Sequence, residues 1–434
     1  MSGTLAVGYG DSTLPVPAEP FRLDLLDGPI EAAPPARIGI DVSFDHPLGV
    51  PPLAELFRGS RRVLIVVSDA TRATAAAKFL PALIERIEAA APGVAIRLIV
   101  ASGIHRRATD TDISRIVGEH VDGRYEVLRH DPDASQELVD LGRTRSGTVV
   151  RVNRAVRDHD RIVLTGAVGF HYYAGFSGGR KAVVPGLAAR ETIVGNHLRA
   201  LRQDGTRHPL AKAGCLAGNP VHLDMAEGAA LVGPHLLVNS ILDDRGEIDR
   251  LYVGHWRRAH EAACRHVRAA RRLRVEPRDL VVASAGGEPG DVNLIQSHKT
   301  FESAIGALNP GGVMVLVARC REGAGHAEFL PWFEYPTADE LVAALQARFQ
   351  VYGQTALSWV RKAETCRLIL VSGIAPELAR SLRATPARDV VEALQLAKQW
   401  LAPGTRGYLL PHGSRFLIDR QERVGSGDRG KRVA

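Results

Sequence analysis

The stretch Arg62-Val-Leu-Ile-Val-Val-Ser68-Asp69-Ala-Thr71-Arg72 decides how this chain folds. Five consecutive branched apolar residues leave no polar face, so the run predicts a strand buried on both sides, the mark of a parallel sheet covered by helices. Residues 71–90 then carry helical periodicity, and Pro92-Gly93 ends it. Ala95–Ala101 reads as a second strand leading into Ser102-Gly103, and residues 161–168 as a third leading into Gly169-Phe170-His171. Strands alternating with helices predict an α/β domain.

The second half repeats the theme. Strands are expected at residues 280–285, 312–318, 367–372 and 407–410, and helices at 294–308, 338–349 and 389–401. The expected fold is two α/β domains with mostly parallel sheets. The larger N-terminal domain spans residues 1–272, beginning with Pro-rich strands and turns at its edge. The smaller, Rossmann-like C-terminal domain spans 273–410, with the active site in the cleft between the two. The Arg-rich segment 255–273 serves as the connector. The tail from 411 to 434 returns to the first domain, and its Gly-, Arg- and Lys-rich last residues, 424–434, are expected to be disordered.

The chain has 434 residues, 45% apolar and 24% charged, ordinary for a globular protein with ample core. No apolar run reaches the roughly 18 residues of a membrane helix, and the N-terminus lacks a signal pattern. Cys215, Cys264, Cys320 and Cys366 lie far apart with no CxxC, which predicts reduced thiols in a cytoplasmic protein. The net charge of +7 favours an acidic substrate. No stacking or groove-reading motif accompanies the arginines at 257–274, so a solvated helix is expected there rather than a nucleic-acid surface.

In open α/β sheets ligands bind beyond the carboxyl ends of the strands. Three such ends carry reactive groups: Arg72 after the first strand, His105 in Ser102-Gly-Ile-His105-Arg106 after the second, and His171 after the third. If these strands are neighbours, an arginine suited to a carboxylate and two proton-moving imidazoles converge on one crevice. Taken singly, Asp69 and Thr71 could cap the following helix, and His105 could be an exposed loop residue. His46, His120, His130, His159 and His208 lack such a context and are expected at the surface. Downstream of His171, Gly178 and Gly179 let the backbone approach an anion with N–H donors, Lys181 offers an amine, and His197 offers an imidazole for a metal. Gln296 and Lys299 are three apart near a helix start and share a face, suited to a carboxylate.

Together the motifs Ser68-Asp-Ala-Thr-Arg72, Gly103-Ile-His105-Arg106 and His171 with Gly175-Phe-Ser-Gly-Gly-Arg-Lys181 carry a resemblance over nearly the full length. Asn196-His197, Gly218-Asn-Pro-Val-His222 and Asp291-Val-Asn-Leu-Ile-Gln296 with Lys299 complete it. The chain resembles the nickel-pincer-nucleotide-dependent lactate racemase family of 2-hydroxy acid racemases and epimerases. The resemblance implies an isomerase holding a pyridinium mononucleotide with nickel in a sulfur–carbon–sulfur pincer, supplied by cofactor-maturation enzymes. It implies that Lys181 is the lysine joined to the cofactor and His197 the nickel ligand, with Asp69, Thr71, Ser177, Gly178 and Gly179 as further cofactor contacts. His105 and His171 become the two acid/base groups, and Arg72, Gln296 and Lys299 the substrate-side groups. Ile295 stands where lactate racemases tend to carry an aromatic ring, which predicts a reshaped pocket and a 2-hydroxy acid other than lactate. The competing expectation is a non-catalytic carrier of the cofactor or of another phosphorylated anion.

Overall fold

The computed structural model describes residues 5–28, 39–243 and 245–421; residues 424–434, with their expected disorder, lie outside the described residues. The described chain divides into two compact units, each an α/β structure. One holds residues 39–270 and 342–354. The other holds residues 5–28, 271–341 and 355–421.

In the first unit a six-stranded sheet runs in the order Ile248–Gly254, Leu236–Leu242, Arg161–Ala167, Arg62–Ser68, Ala95–Ala101, Glu126–Arg129. All neighbours are parallel except the first pair, an antiparallel hairpin. Arg62–Ser68 lies at the centre, and its alternation divides two cores: Leu64 and Val66 face one hydrophobic cluster, Val63, Ile65 and Val67 the other. Burial on both faces is what the unbroken apolar run requires. Ser68 pairs with Ala101, and Ser240 with Ala167, so four strands end at one edge of the sheet. Helices Ala76–Ala90 and Trp256–Arg271 belong to this unit up to residue 270. The second of these is amphipathic rather than a freely solvated connector: Trp256, Ala259, His260, Ala263, Cys264 and Val267 are buried at helical spacing.

Three expectations need correction here. Helix formation begins at Ala76, not residue 71, and no side chain caps it. Residues 69–75 form a turn of their own, ending at Ala75 with a left-handed φ of 52°. His130 and His159 are buried, 1% and 8% exposed, because their rings bond to the carbonyls of Ala188 and Ala155.

The second unit has a parallel sheet ordered Thr385–Ala387, Arg367–Val371, Leu308–Val317, Arg278–Ser284, Arg406–Leu410, Arg22–Leu25. Residues 5–28 therefore group with the C-terminal half rather than the N-terminal domain, since Arg22–Leu25 adds an edge strand there and Val7, Val16 and Phe21 enter that core. The described part of the tail stays in this unit as well, pairing Leu417–Arg420 with Arg272–Val275. Among the described residues no helix is long and apolar enough to cross a membrane.

Candidate active site

The exits of the central strands bring Asp69, Thr71, Arg72 and His105 together. One oxygen of Asp69, Oδ1, accepts from the Thr71 N–H at 2.8 Å and from its hydroxyl. Thus Asp69 folds the turn back on itself instead of capping the helix. The other oxygen, Oδ2, lies 3.2 Å from His105 Nδ1. Burial would raise the Asp69 carboxyl, yet the His105 imidazole beside it, the hydrogen bond between them, the Arg72 guanidinium and the Thr71 hydroxyl outweigh that. They hold it well below the usual carboxylate range. A lasting carboxylate at Nδ1 assigns the ring's proton to that nitrogen and leaves a lone pair on Nε2, where Arg72 Nη2 stands 3.5 Å away. A basic lone pair and a guanidinium are therefore adjacent.

His171 sits on the short strand Phe170–His171, paired antiparallel with Gly175–Phe176. Its Nδ1 accepts from the N–H groups of Tyr173 and Ala174 at 3.3 and 3.1 Å. A neutral imidazole has one proton, so it lies on Nε2, 3.1 Å from Lys181 Nζ.

Ser177 and Gly179 also have partners within the protein. The Ser177 hydroxyl donates to the Ala167 carbonyl at 2.9 Å and accepts from the Gly169 N–H at 2.8 Å, stapling the strand exit to the hairpin. Gly179 donates its N–H to Asn239 Oδ1 at 2.9 Å, so that donor is committed inside the protein. Both glycines have positive φ, and a Cβ on Gly178 would stand 2.7 Å from Asn239 Oδ1, one on Gly179 2.6 Å from the His260 ring. They are glycines because the backbone packs against buried side chains.

His197 lies in the last turn of helix Arg190–Leu198, and its Nδ1 donates to the Ile193 carbonyl at 2.8 Å. Burial pushes its pKa down to about 4, helped by the positive charge Lys181 carries when protonated and opposed by the bond to Ile193. The ring is thus neutral at pH 7 with its lone pair on Nε2, the state a metal ligand needs. Asn196 next to it donates to Asp224 at 2.9 Å, and Asn219 caps helix Pro220–Val232 while its Nδ2 donates to the Tyr173 carbonyl at 2.8 Å. Among the described residues no group of three or more His, Cys, Asp or Glu side chains could hold a metal ion.

Gln296 and Lys299 belong to the second unit, on helix Leu294–Ala304, where Asn293 caps Gln296 N at 3.0 Å and Lys299 Nζ donates to Gln296 Oε1. The four cysteines are unpaired, and burial raises Cys264, Cys320 and Cys366 to about 12, which makes them inert thiols.

Three supporting residues escaped the sequence reading. Arg180 is 1% exposed, forms no ion pair among the described residues, and donates to the carbonyls of Ala174 at 2.6 Å and Phe176 at 2.9 Å, so it holds the loop between His171 and Lys181. Asn239 and Ser240 interrupt the apolar run of Leu236–Leu242, and that polar pair inside a buried strand was the available signal. Ser240 donates to the Thr74 carbonyl at 2.7 Å, tying the turn of Asp69 to the neighbouring strands.

The lactate racemase N-terminal domain family matches residues 8–208, and the lactate racemase C-terminal domain family matches residues 273–418. A lactate racemase of Thermoanaerobacterium thermosaccharolyticum is 27% identical over 385 residues, which cover 87% of this chain and 89% of that protein. A lactate racemase of Lactiplantibacillus plantarum is 31% identical over 290 residues, 67% of this chain and 68% of that protein. The lactate racemase apoprotein structure from T. thermosaccharolyticum superposes with a TM-score of 0.85 at 27% identity, covering 96% of this chain and 100% of that one. A Thermotoga maritima structure at 17% identity shares the fold, with a TM-score of 0.70 over 90% of this chain and 100% of that one.

Proposed function

Because the chain belongs to the lactate racemase family, we propose that it is an isomerase that interconverts the enantiomers of a 2-hydroxy acid with the help of a nickel-pincer nucleotide. The observation that carries this reading is the meeting of Asp69, Arg72 and His105 at one strand edge, with His171 and Lys181 on the loop that leaves a neighbouring strand.

Inverting a carbon that bears a hydroxyl and a carboxylate needs a planar intermediate open on both faces. Removing the α-hydrogen as a proton beside a carboxylate is unfavourable, whereas removing it as hydride while a base takes the hydroxyl proton gives a 2-keto acid. The nucleotide, when bound, supplies the hydride acceptor and donor for that exchange. Arg72 grips the substrate carboxylate, so that only the reacting centre changes position. His105 Nε2, with its lone pair, takes the hydroxyl proton from one enantiomer, and Asp69 stabilises the imidazolium that forms. His171 Nε2 is the proton-transferring atom for the other enantiomer. His197 fits as the protein's single nickel ligand, since its ring is neutral and its Nδ1 is anchored. Lys181 fits as the covalent anchor, since its amine lies 3.1 Å from His171 Nε2 on the loop that leaves the third strand.

Lactate is the acid in the names of the relatives and heads the assay panel; half-buried Ile295, beside Gln296, is the position at which a longer side chain would be accommodated. The test is exchange of the C2 hydrogen and loss of optical rotation across 2-hydroxy acids of increasing size. The protein is made together with the cofactor-maturation enzymes. Interconversion of one or more acids, with nickel and a covalent mass increment on Lys181, is expected. Cofactor bound without any C2 exchange would instead indicate a carrier.

A further inference from the structure

Residues 342–354 come from the C-terminal half of the chain yet belong to the unit that carries His105, His171 and His197. Within that unit they touch the backbone beside each of the three histidines. Tyr352 is 6% exposed, and its hydroxyl lies 3.5 Å from the carbonyl of Ile104, the residue before His105. The Gln354 carbonyl accepts at 3.1 Å from the hydroxyl of Tyr173, two residues beyond His171 and on the same turn that fixes its Nδ1. The side-chain amide of Gln354 donates at 3.3 Å to the carbonyl of His197 itself. Val351 packs on the cluster that includes Tyr173, Ala174 and Ile193, and Gln346 Nε2 donates at 3.2 Å to the Gln203 carbonyl.

Gln354 is fully buried, and its Oε1 has no hydrogen-bond partner among the described residues. An unpaired buried carbonyl is costly, and an apolar side chain of the same shape would avoid that cost. The other end of the amide, on His197, is what a glutamine gains over methionine at this position.

We propose that residues 342–354 are a strap that holds the three histidine-bearing segments in mutual register, with Gln354 as a positioning residue for His197. Neither Gln354 nor Tyr352 acts on substrate. Each fixes the backbone from which a functional imidazole projects. The nickel part of the test rests on the proposed function; the strap itself is read in protein without cofactor.

The experiment compares wild type, Gln354→Met and Tyr352→Phe with isotope-labelled histidine, following the imidazole carbon–proton signals of the apoprotein at one fixed pH. Gln354→Met is expected to shift the His197 and His171 signals while exposed His46 and His120 stay in place. Tyr352→Phe is expected to shift His105 alone. In protein made with the maturation enzymes, Gln354→Met should retain about tenfold less nickel after dialysis, with kcat lowered and KM within twofold. Unmoved His197 and His171 signals in Gln354→Met would overturn the strap, as would uniform shifts in all sixteen histidines with a lowered melting temperature. Should Gln354→Met fail to fold, a His105-specific shift in Tyr352→Phe sustains the proposal and its absence ends it. Wild-type protein lacking nickel would sink the functional reading, and the apoprotein signals would still decide the strap.

Discussion

The loop that carries His105 and the loop that carries His171 solve the same problem with opposite chemistry. His105 has a buried carboxylate at Nδ1, so its Nε2 holds a lone pair. His171 has two backbone N–H groups at Nδ1, so its Nε2 holds the proton and meets a lysine. One ring thus presents a lone pair at Nε2 and the other an N–H. A pair in which each serves as base for one enantiomer must exchange these states between turnovers, and the surroundings of His171 resist that exchange more than those of His105. The asymmetry comes from short local sequences: a Ser-Asp-x-Thr turn after a strand in one case, a tight hairpin in the other.

Removing either ring is the strongest way to break the comparison. His105→Ala and His171→Ala are each expected to lower interconversion by about 10³-fold, within the range for loss of a general acid or base, measured by C2 isotope exchange. Full activity in either variant rules out the two-base scheme. Next comes Asp69→Asn, which can direct an amide N–H at Nδ1 and so favours the wrong tautomer. About a 10²-fold fall in kcat with an unchanged circular dichroism spectrum is expected. Activity within twofold of wild type would mean the carboxylate does not set the state of His105.

Arg180→Met acts on the other loop, removing the guanidinium from the carbonyls of Ala174 and Phe176 and from His260 Nε2. Urea unfolding should show a loss of about 2–4 kcal/mol, and no loss would remove Arg180 as the support of the His171 hairpin.

A pH series sharpens the contrast with the smallest effect. Asp69 is held below the ordinary carboxylate value of 3.8, so its contribution is complete above that value and is lost only as pH falls below it. His130, on the carbonyl of Ala188, is pushed by burial down to about 4 from 6.5, against the pull of that hydrogen bond. The unfolded chain therefore binds a proton that the folded one refuses. Its stabilisation is complete above pH 6.5 and drains away as pH falls toward 4, by about 3 kcal/mol at most. Replacing it in His130→Gln should make stability fall less steeply between pH 6.5 and 4, with His197 still contributing there. An unchanged slope would assign acid sensitivity to other groups.

Much of this was legible because a strand buried on both faces has no choice but to read as an apolar run. Arg62–Ser68 and Ala95–Ala101 fall where the pattern puts them, and their adjacency brings Arg72 and His105 together. The start of the next helix was misread since periodicity cannot see that Asp69 spends its oxygens on Thr71 and His105. Gln354 and Tyr352 were invisible for a different reason. They lie in helix Val351–Ala363, some 150 to 250 residues from the groups they touch, and nothing in a single sequence reports a contact of that separation. Arg180 sat inside a quoted motif, but burial of a cation against carbonyls leaves no spacing signature.

The edge strand Arg22–Leu25 has a consequence for synthesis. Its neighbour in the sheet, Arg406–Leu410, is synthesised long after it. Arg22–Leu25 must therefore wait, without its sheet neighbour, while the strands of the sheet in the unit built on residues 39–270 have already been made. A nascent chain released early would carry an assembled central sheet beside an N-terminal strand with no sheet to join.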